Sequence, residues 1–288
     1  ATGLTYTGTP TVNISNNSAT AATVTAHTTG GTEANVFDFN FTTGTYTLTL
    51  TTASRVRNLI FTGFVGTWAP GAAIYNIYGN LTLVSGMVFT TGSGTWNLLA
   101  TTGTQVITSA GKTLFSLFQQ GATAQTVQFA AATTLSTTAV YTLLNGTLDL
   151  NNFTLSTGLF LSSNGNTRSI LFGATGNITI TGSGTAWDTS NGPLASFTYT
   201  GTPTVNISNN SATATTISPQ TVSINATTAL NFNITTGTYA LTITTAGSVG
   251  SLNFTGFTGT WAPGTATCTF YRNLTLVSGM TFTTGSGL

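Results

Sequence analysis

The feature that most constrains this chain is an internal repeat without gaps. Residues 1–95 return as residues 194–288, at a constant offset of 193. The segment Thr5–Ala21 reads TYTGTPTVNISNNSATA, and Thr198–Ala214 has the same letters. A repeated unit is typical of solenoids and arrays, in which each unit contacts its neighbours. We therefore predict a first unit at residues 1–193 and the first half of a second copy at 194–288, joined without a linker.

Charged residues are scarce. The 288 residues include five Lys and Arg and four Asp and Glu, a charged fraction of 3%, whereas ordinary soluble domains have about 25%. The surface must therefore consist of Thr, Ser, Asn, Gln and Gly. Phosphate binding needs clustered Lys and Arg, so we expect no nucleic-acid partner. No apolar run approaches the roughly 18 residues of a membrane span, so we expect no membrane insertion.

Apolar and polar residues alternate through most of the chain. Within Thr45–Thr51, one tyrosine and two leucines fall on one side of a strand and four threonines on the other. Thr11–Ser15 and Asn231–Thr235 show the same pattern. The segment between Gly111 and Gly121 is ambiguous, because its apolar residues fit both a helical and an alternating spacing.

Short strands separated by glycine-rich breaks fit two architectures, an array of β-sandwich domains and a parallel β-solenoid. Sandwich domains are normally joined by linkers, yet the strand pattern breaks for only a few residues around Asn191–Leu194. We therefore predict an all-β fold, an elongated parallel β-solenoid (β-helix), with the sandwich array as the alternative. Each unit should form about eight or nine coils. Apolar residues should point inward, and outward Thr and Asn should form hydrogen-bonded ladders.

The two copies keep their aromatic residues and lose their charges. Phe64 and Trp68 return as Phe257 and Trp261. The polar groups change as follows: His27 to Gln220, Glu33 to Ala226, Asp38 to Asn231, Arg55 to Ser248 and Arg57 to Gly250. A duplicated catalytic site would be expected to keep at least one such group. We therefore predict that the protein is not an enzyme, that its aromatic residues form the core, and that its charged residues are dispensable surface groups.

No familiar catalytic or metal-binding pattern is present in the sequence. The single histidine, His27, lies in a loop-like segment. Glu33 and Asp38 are five apart, which on a regular strand places them on opposite faces and does not suit a glycosidase pair. Asp149 and Asp188 are isolated. Metal sites would need clusters of Cys and His. We predict no catalytic residue, no metal site and no cofactor.

Several recurrent patterns are assigned structural roles. The glycines of Thr91–Thr95 and Thr181–Thr185 resemble a phosphate loop but lack its lysine, so they are interpreted as turns. The tryptophans could stack on sugars, but we expect them to cover the core at coil corners. The single Cys268 excludes an internal disulfide. Glycosylation sequons are abundant because Asn and Thr alternate around apolar residues, and they include Asn13, Asn40, Asn80, Asn152, Asn177 and Asn273.

The segments Thr142–Trp187, TLLNGTLDLNNFTLSTGLFLSSNGNTRSILFGATGNITITGSGTAW, and Thr5–Ala21 resemble the Thr/Asn/Gly-rich β-solenoid repeats of marine tailed phages, especially those that infect cyanobacteria. Such repeats occur in tail fibres and virion appendages. The resemblance covers essentially the whole chain. It implies a non-catalytic structural fibre protein on the virion surface or outside the cell. Its implied partners are further copies of itself, end to end or in a homo-oligomeric fibre, and a host-surface glycan.

Two other classes of protein stay open. A bacterial or archaeal extracellular filament or adhesin would have the same solenoid. A carbohydrate depolymerase would need clustered carboxylates, which the sequence does not provide. The end segments, residues 1–6 and 280–284, are uncharged and strand-like. Open strand edges favour pairing with another strand, so we predict that both are covered by further repeats of a longer chain or by the next subunit.

Overall fold

The computed structural model describes residues 9–27, 31–51, 53–90, 92–191, 196–220, 229–244, 247–263 and 267–283. These residues form an all-β protein whose parallel sheets stack as a β-solenoid of about 11 turns. The predicted parallel β-solenoid is therefore confirmed, and the sandwich array does not form. A short 3-10 helix lies at Glu33–Asn35. Predictions on residues 1–6, on Gly264 and on the copy boundary at residues 193 and 194 fall outside the described residues.

The first compact unit comprises Ala1–Ser136 and Asn145–Thr147. Its strands are short because turns interrupt the alternating pattern every few residues. They are β1 (Thr11–Ser15), β2 (Ala22–Val24), β3 (Asp38–Thr43), β4 (Thr47–Leu50), β5 (Arg55–Val56), β6 (Leu59–Phe61), β7 (Thr67–Trp68), β8 (Ile74–Ile77), β9 (Leu81–Thr82), β10 (Val88–Phe89), β11 (Thr95–Leu98), β12 (Gly103–Thr108), β13 (Thr113–Leu114), β14 (Ser116–Gln119), β15 (Gln125–Phe129) and β16 (Thr133–Leu135).

The second unit comprises Thr137–Leu144 and Leu148–Leu288. Its strands, the second of which begins in the first unit, are β17 (Val140–Leu143), β18 (Gly146–Asp149), β19 (Thr154–Thr157), β20 (Leu159–Leu161), β21 (Arg168–Gly173), β22 (Asn177–Ile180), β23 (Gly184–Asp188), β24 (Phe197–Gly201), β25 (Thr204–Ser208), β26 (Thr215–Ser218), β27 (Asn231–Thr236), β28 (Ala240–Ile243), β29 (Ser248–Val249), β30 (Leu252–Phe254), β31 (Thr260–Trp261), β32 (Thr269–Phe270), β33 (Leu274–Thr275) and β34 (Thr281–Phe282).

In each unit successive strands of the chain belong to different sheets, in an order that repeats with each coil. In the first unit, β3, β4 and β5 enter three different sheets, and β6, β7 and β8 then pair with them in the same order. In the second unit, β22, β25, β27, β30 and β33 are successive strands of one sheet, and β23, β26, β28, β31 and β34 of another. A side chain therefore lies beside residues from the coil before and the coil after. Leu48 faces Trp68 in this way, and Tyr75 faces Trp96.

The repeat does not contain a whole number of coils. In the strand order of its nine-stranded sheet, β24 lies eight steps from β1. The copy of β1 is instead β25, the next strand in the chain, which belongs to the eight-stranded sheet that contains β22. The 193-residue unit thus spans eight coils and one further strand. This agrees with the predicted eight or nine coils, but equivalent strands of the two copies belong to different sheets.

Inward apolar side chains fill the coils, as the alternation predicts. Trp68 is fully buried. Its ring stacks on that of Trp96, with centroids 5.6 Å apart and an interplanar angle of 11°, and on that of Phe61 at 5.1 Å. In the second unit the rings of Phe160 and Trp187 stack at 4.5 Å. Parallel pairing places like side chains above one another, and this produces the aromatic stacks.

The ambiguous segment between Gly111 and Gly121 forms β13 and β14 and not a helix. Leu114 and Leu117 are fully buried, whereas Phe118 is half-buried. Residues of β14 pair in register with β11 along its whole length. Strand pairing therefore outweighs the helical spacing of these residues, because it satisfies the backbone within the coil stack.

Candidate functional site

Outward asparagines of the second unit form a side-chain ladder across successive coils. Asn233 donates its Nδ2 hydrogen to Oδ1 of Asn206 at 3.0 Å, and Asn253 donates to Asn233 at 3.1 Å. Asn206 donates in turn to Asn177 at 3.3 Å, and Asn177 to the hydroxyl of Thr154 at 3.0 Å. The predicted outward ladders are confirmed. On this sheet the ladder amides are largely occupied by one another.

The first unit carries one pair of this ladder on the copied residues. Asn40 donates to Oδ1 of Asn13 at 3.2 Å and accepts from the hydroxyl of Thr62 at 3.0 Å. Asn13, Asn40 and Asn177 are sequon residues, so these three amides have a structural role that an attached glycan would disrupt. The pair Asn13–Asn40 returns as Asn206–Asn233 and is, unlike the charges, a polar contact that both copies preserve, whereas Asn253 corresponds to Ile60.

Replacing Asn233 with alanine should lower the free energy of unfolding by about 1 kcal/mol, because the change removes two half-buried hydrogen bonds and leaves amides of both neighbours without this partner. The denaturant midpoint of the variant, followed by circular dichroism, measures the loss. The matched control is Thr134→Ala, an outward exposed position in β16, which should change stability by less than about 0.5 kcal/mol. Equal losses at both positions would contradict a stabilising role for the ladder.

Asp38 is not the solvated surface group that we predicted from its loss in the second copy. Its carboxylate is mostly buried and forms a two-point ion pair with Arg57, in which Nε lies 2.7 Å from Oδ1 and Nη2 contacts Oδ2. The same carboxylate accepts from the backbone N–H of Asn58 at 3.0 Å and from its side chain at 2.8 Å. In the second copy Asn231 accepts from the backbone N–H of Ser251 at 3.0 Å and from Nη1 of Arg272 at 2.6 Å, so an arginine at a different position contacts this side chain.

The environment of Asp38 gives stability a pH dependence. Burial raises the pKa of this carboxyl, but the hydrogen bonds from Arg57 and Asn58 and the charge of Arg57 outweigh it, so the pKa lies below its ordinary value of 3.8. A carboxyl with a lowered folded-state pKa stabilises the fold above its unfolded pKa, and this contribution is lost as the pH falls through the folded pKa.

We expect Asp38→Asn to lower the free energy of unfolding by about 2 kcal/mol at pH 7, because Arg57 loses its ion pair. Denaturant unfolding between pH 2 and 7 should show the gap from the wild type narrowing as the pH falls below the ordinary carboxyl pKa and through the lowered pKa of Asp38. The double variant Asp38→Asn, Arg57→Gly has the residues of the second copy at these two positions and should recover part of the loss, because no unpaired guanidinium is left. A gap that is constant with pH would contradict this role of the ion pair.

His27 and Arg55 are also held in place by the fold. The two residues form an isolated antiparallel bridge. Nη1 of Arg55 donates to the carbonyl of Gly31 at 3.1 Å and contacts the hydroxyl of Tyr78 at 2.8 Å. The Tyr78 hydroxyl donates to the same Gly31 carbonyl at 2.9 Å. Arg55 is therefore held by the fold and is not the solvated surface group that we predicted.

The remaining candidate carboxylates serve local structure. Glu33 lies in the 3-10 helix and accepts from the backbone N–H of Thr101 at 2.8 Å. Because Glu33 and Asp38 do not share a regular strand, the parity argument about their faces does not apply. Asp149 accepts from the backbone N–H of Asn151 at 2.8 Å, and Asp188 from Ser190 at 3.0 Å. Each of these two hydrogen bonds joins residues two positions apart and stabilises a tight turn of the type that Asp commonly forms.

Sequence reasoning missed a buried arginine in the second unit. Arg168 is 1% exposed. Its guanidinium carbon lies 4.8 Å from the ring centroid of Phe197, and Nη1 donates to Oδ1 of Asn164 at 2.6 Å. Burial lowers the pKa of this guanidinium. The strand pattern could have revealed it, because Arg168 shares its parity with the inward residues Ile170 and Phe172 of β21.

The glycines and tryptophans that the sequence analysis named have structural roles, the glycines in close backbone contacts and the tryptophans in the core. A Cβ at Gly92 would lie 1.9 Å from the carbonyl oxygen of Gly71, and one at Gly182 would lie 2.7 Å from that of Thr137. These glycines therefore allow close approach of the backbone, as the interpretation as turns requires. Trp68, Trp187 and Trp261 are fully buried within strands and do not present a face to a sugar.

Comparisons with protein-family models, with curated proteins and with solved structures find no match to this chain. Within the described part of the chain, no three residues of the types His, Cys, Asp and Glu group closely enough to hold a metal ion. No helix among the described residues is long and apolar enough to cross a membrane.

Proposed function

We propose that this protein is a non-catalytic structural fibre protein, a component of the tail fibre or an appendage of a phage virion. The observation that carries the proposal is the pattern of what both copies preserve. They keep the buried aromatic residues and one outward asparagine pair, and they change every charged group for which the first copy has a role. Selection on such a chain acts on stacking of coils and not on a reactive centre.

The chemistry of the surface supports this role. A surface of amides and hydroxyls that bond to one another is stable without ion pairs, and it is therefore little affected by salt. The coils are held by backbone pairing and apolar burial, and both continue from coil to coil. We propose that the protein acts on the virion surface or outside the cell. Its partners are then copies of itself and, secondarily, a host-surface glycan.

The resemblance to the solenoid repeats of marine tailed phages favours a virion over a cell. The alternative is an extracellular filament or adhesin of a bacterium or archaeon. Gold-labelled antibodies raised against the chain, applied to particles and cells of the native source and viewed by electron microscopy, distinguish the two. We expect label along virion fibres. Label on cell-surface filaments would support the alternative, and label on neither would overturn a fibre role.

A further inference from the structure

The buried guanidinium of Arg168 has no counter-charge. Among the described residues, no Asp or Glu forms an ion pair with it. Its nitrogens contact uncharged oxygens instead. Nη1 donates to the backbone carbonyl of Asn166 at 3.1 Å and contacts that of Asn164, and Nη2 donates to the carbonyl of Asn191 at 3.3 Å. Nε has no hydrogen-bond partner in the described part of the chain. A buried cation is unfavourable unless it is paired, so a carboxylate beside this guanidinium would be stabilised.

The side-chain amide of Asn164 lies against this guanidinium. Its Oδ1 accepts from Nη1 of Arg168 at 2.6 Å and from the backbone N–H of Asn166 at 2.9 Å. Its Nδ2 donates to the carbonyl of Leu143 at 3.3 Å, which is long for an N–H···O hydrogen bond. Two donors on the oxygen, one of them charged, draw electron density from Cγ. The Asn164 amide is therefore activated toward a nucleophile, and its nitrogen is only weakly held.

Gly165 supplies a nucleophile next to this carbon. Its backbone N–H makes no hydrogen bond to another described residue. Gly165 is exposed, and no atom lies within 4 Å of a Cβ at this position. A glycine without close neighbours has wide backbone freedom. The nitrogen of Gly165 can therefore approach Cγ of Asn164, and water can reach the product.

We propose that Asn164–Gly165 is a self-modification site, at which the chain converts the Asn164 amide into a carboxylate beside Arg168. The nitrogen of Gly165 attacks Cγ of Asn164, the Cγ–Nδ2 bond breaks, and Nδ2 leaves as ammonia with the proton that the Gly165 nitrogen loses. Water then opens the succinimide ring. Cleavage of the new Cγ–N bond restores the main chain with aspartate at position 164, and cleavage at the other ring carbonyl gives isoaspartate.

The fold assists the first step. Negative charge develops on Oδ1 of Asn164 during the attack, and the guanidinium of Arg168 and the N–H of Asn166 already donate to this oxygen. Donors that are in place before the reaction stabilise such an oxyanion. After hydrolysis to aspartate, the same guanidinium gains an ion pair. The inference goes beyond the proposed structural function and does not depend on it.

Another Asn-Gly pair, Asn145–Gly146, is an internal control. Gly146 is buried at the start of β18, and a Cβ there would lie 2.3 Å from the carbonyl oxygen of Gln125. Within the described part of the chain, the Asn145 side chain accepts no hydrogen bond from an arginine. The same two residue types therefore lack both the free glycine and the guanidinium. A third pair, Asn191–Gly192, extends outside the described residues.

Peptide mass spectrometry of the full chain, incubated at mildly alkaline pH, tests the reaction. We expect Asn164 to convert to aspartate or isoaspartate about tenfold faster in the folded chain than in the chain unfolded by denaturant, because the two donors to Oδ1 are in place only in the fold. Asn145 should react more slowly folded than unfolded, since its glycine is restrained in a buried strand. Gly165→Ala should leave folding unchanged and slow conversion at position 164.

Two further variants test the role of the guanidinium. Arg168→Met, once circular dichroism shows it folded, should lose the faster rate of the folded chain, and the wild-type comparison stands if this variant does not fold. Asn164→Asp should have a higher denaturant midpoint than the wild type at neutral pH, because an ion pair with Arg168 outweighs the long hydrogen bond to Leu143. This gain should disappear as the carboxyl is protonated at acidic pH.

A folded chain in which Asn164 reacts no faster than in the unfolded chain would overturn the inference, as would equal rates at Asn164 and Asn145 in the folded chain. An Asn164→Asp variant less stable than the wild type would also overturn it, because the guanidinium would then not accept the carboxylate. None of these results bears on the proposed function, which the antibody labelling tests separately.

Discussion

Replacing Trp68 with alanine is expected to lower the free energy of unfolding by about 3 to 5 kcal/mol. The ring is fully buried between those of Phe61 and Trp96, so truncation removes apolar burial and leaves a cavity among aromatic neighbours that pack on one another. Guanidinium unfolding, followed by far-ultraviolet circular dichroism, measures the change in midpoint. Because coils contact mainly their neighbours, the transition should also broaden.

The control for this substitution is Val65→Ala. Val65 lies in the same coil and is 52% exposed, so its truncation should change the free energy of unfolding by less than about 0.5 kcal/mol. Far-ultraviolet circular dichroism reports the backbone. A difference in unfolding midpoint between the two variants is therefore not explained by the loss of a tryptophan from one of them. A Trp68→Ala variant as stable as Val65→Ala would show that the aromatic stack does not stabilise the coils.

Replacing Gly66 with alanine should cost about 3 kcal/mol, although it adds a single methyl group. A Cβ at this position would lie 2.1 Å from the carbonyl oxygen of Tyr46. That oxygen accepts the hydrogen bond of the Thr67 N–H at 3.0 Å, so the methyl group must push apart two successive coils. The second copy has the same geometry, with Gly259 beside the carbonyl of Tyr239 at 2.1 Å.

Gly165→Ala is the matched control for the effect of chain entropy. No atom lies within 4 Å of a Cβ at Gly165, so this variant should be neutral or slightly more stable. Thermal and denaturant unfolding of the two variants give the comparison. If Gly66→Ala also proved neutral, the close approach of the coils would not be the reason why this glycine recurs in both copies.

The sequence alone was sufficient to predict which residues form the core. Phe64, Trp68 and their copies are fully buried, because alternation along a strand assigns each residue to one face and a repeat without gaps preserves that assignment. The same alternation predicted the outward ladders. Arg168 follows this rule too, although its charge concealed it, since parity and not polarity decides which way a side chain points.

The roles of the charged residues depended on contacts that a single strand does not contain. Loss of Asp38 and Arg57 together in the second copy was taken as a sign of dispensability. The structure shows that they form one ion pair, so their joint replacement removes both members of a coupled set. Residues 19 positions apart contact each other because each coil brings the chain back to the same sheet. The lengths of the turns in a coil determine which residues then lie side by side.

The sequence by itself determined the fold class, the inward and outward faces of the strands and the equivalence of the two copies. These are local properties of a period-two pattern and of a repeat without gaps. The tertiary structure decided that the repeat spans eight coils and one further strand, and to which sheet each copied strand belongs. Both depend on how many residues each turn contains before the next strand pairs. Backbone hydrogen bonding between coils sets that number. Because all side chains are nearly equivalent to these backbone bonds, the side-chain pattern does not reveal it.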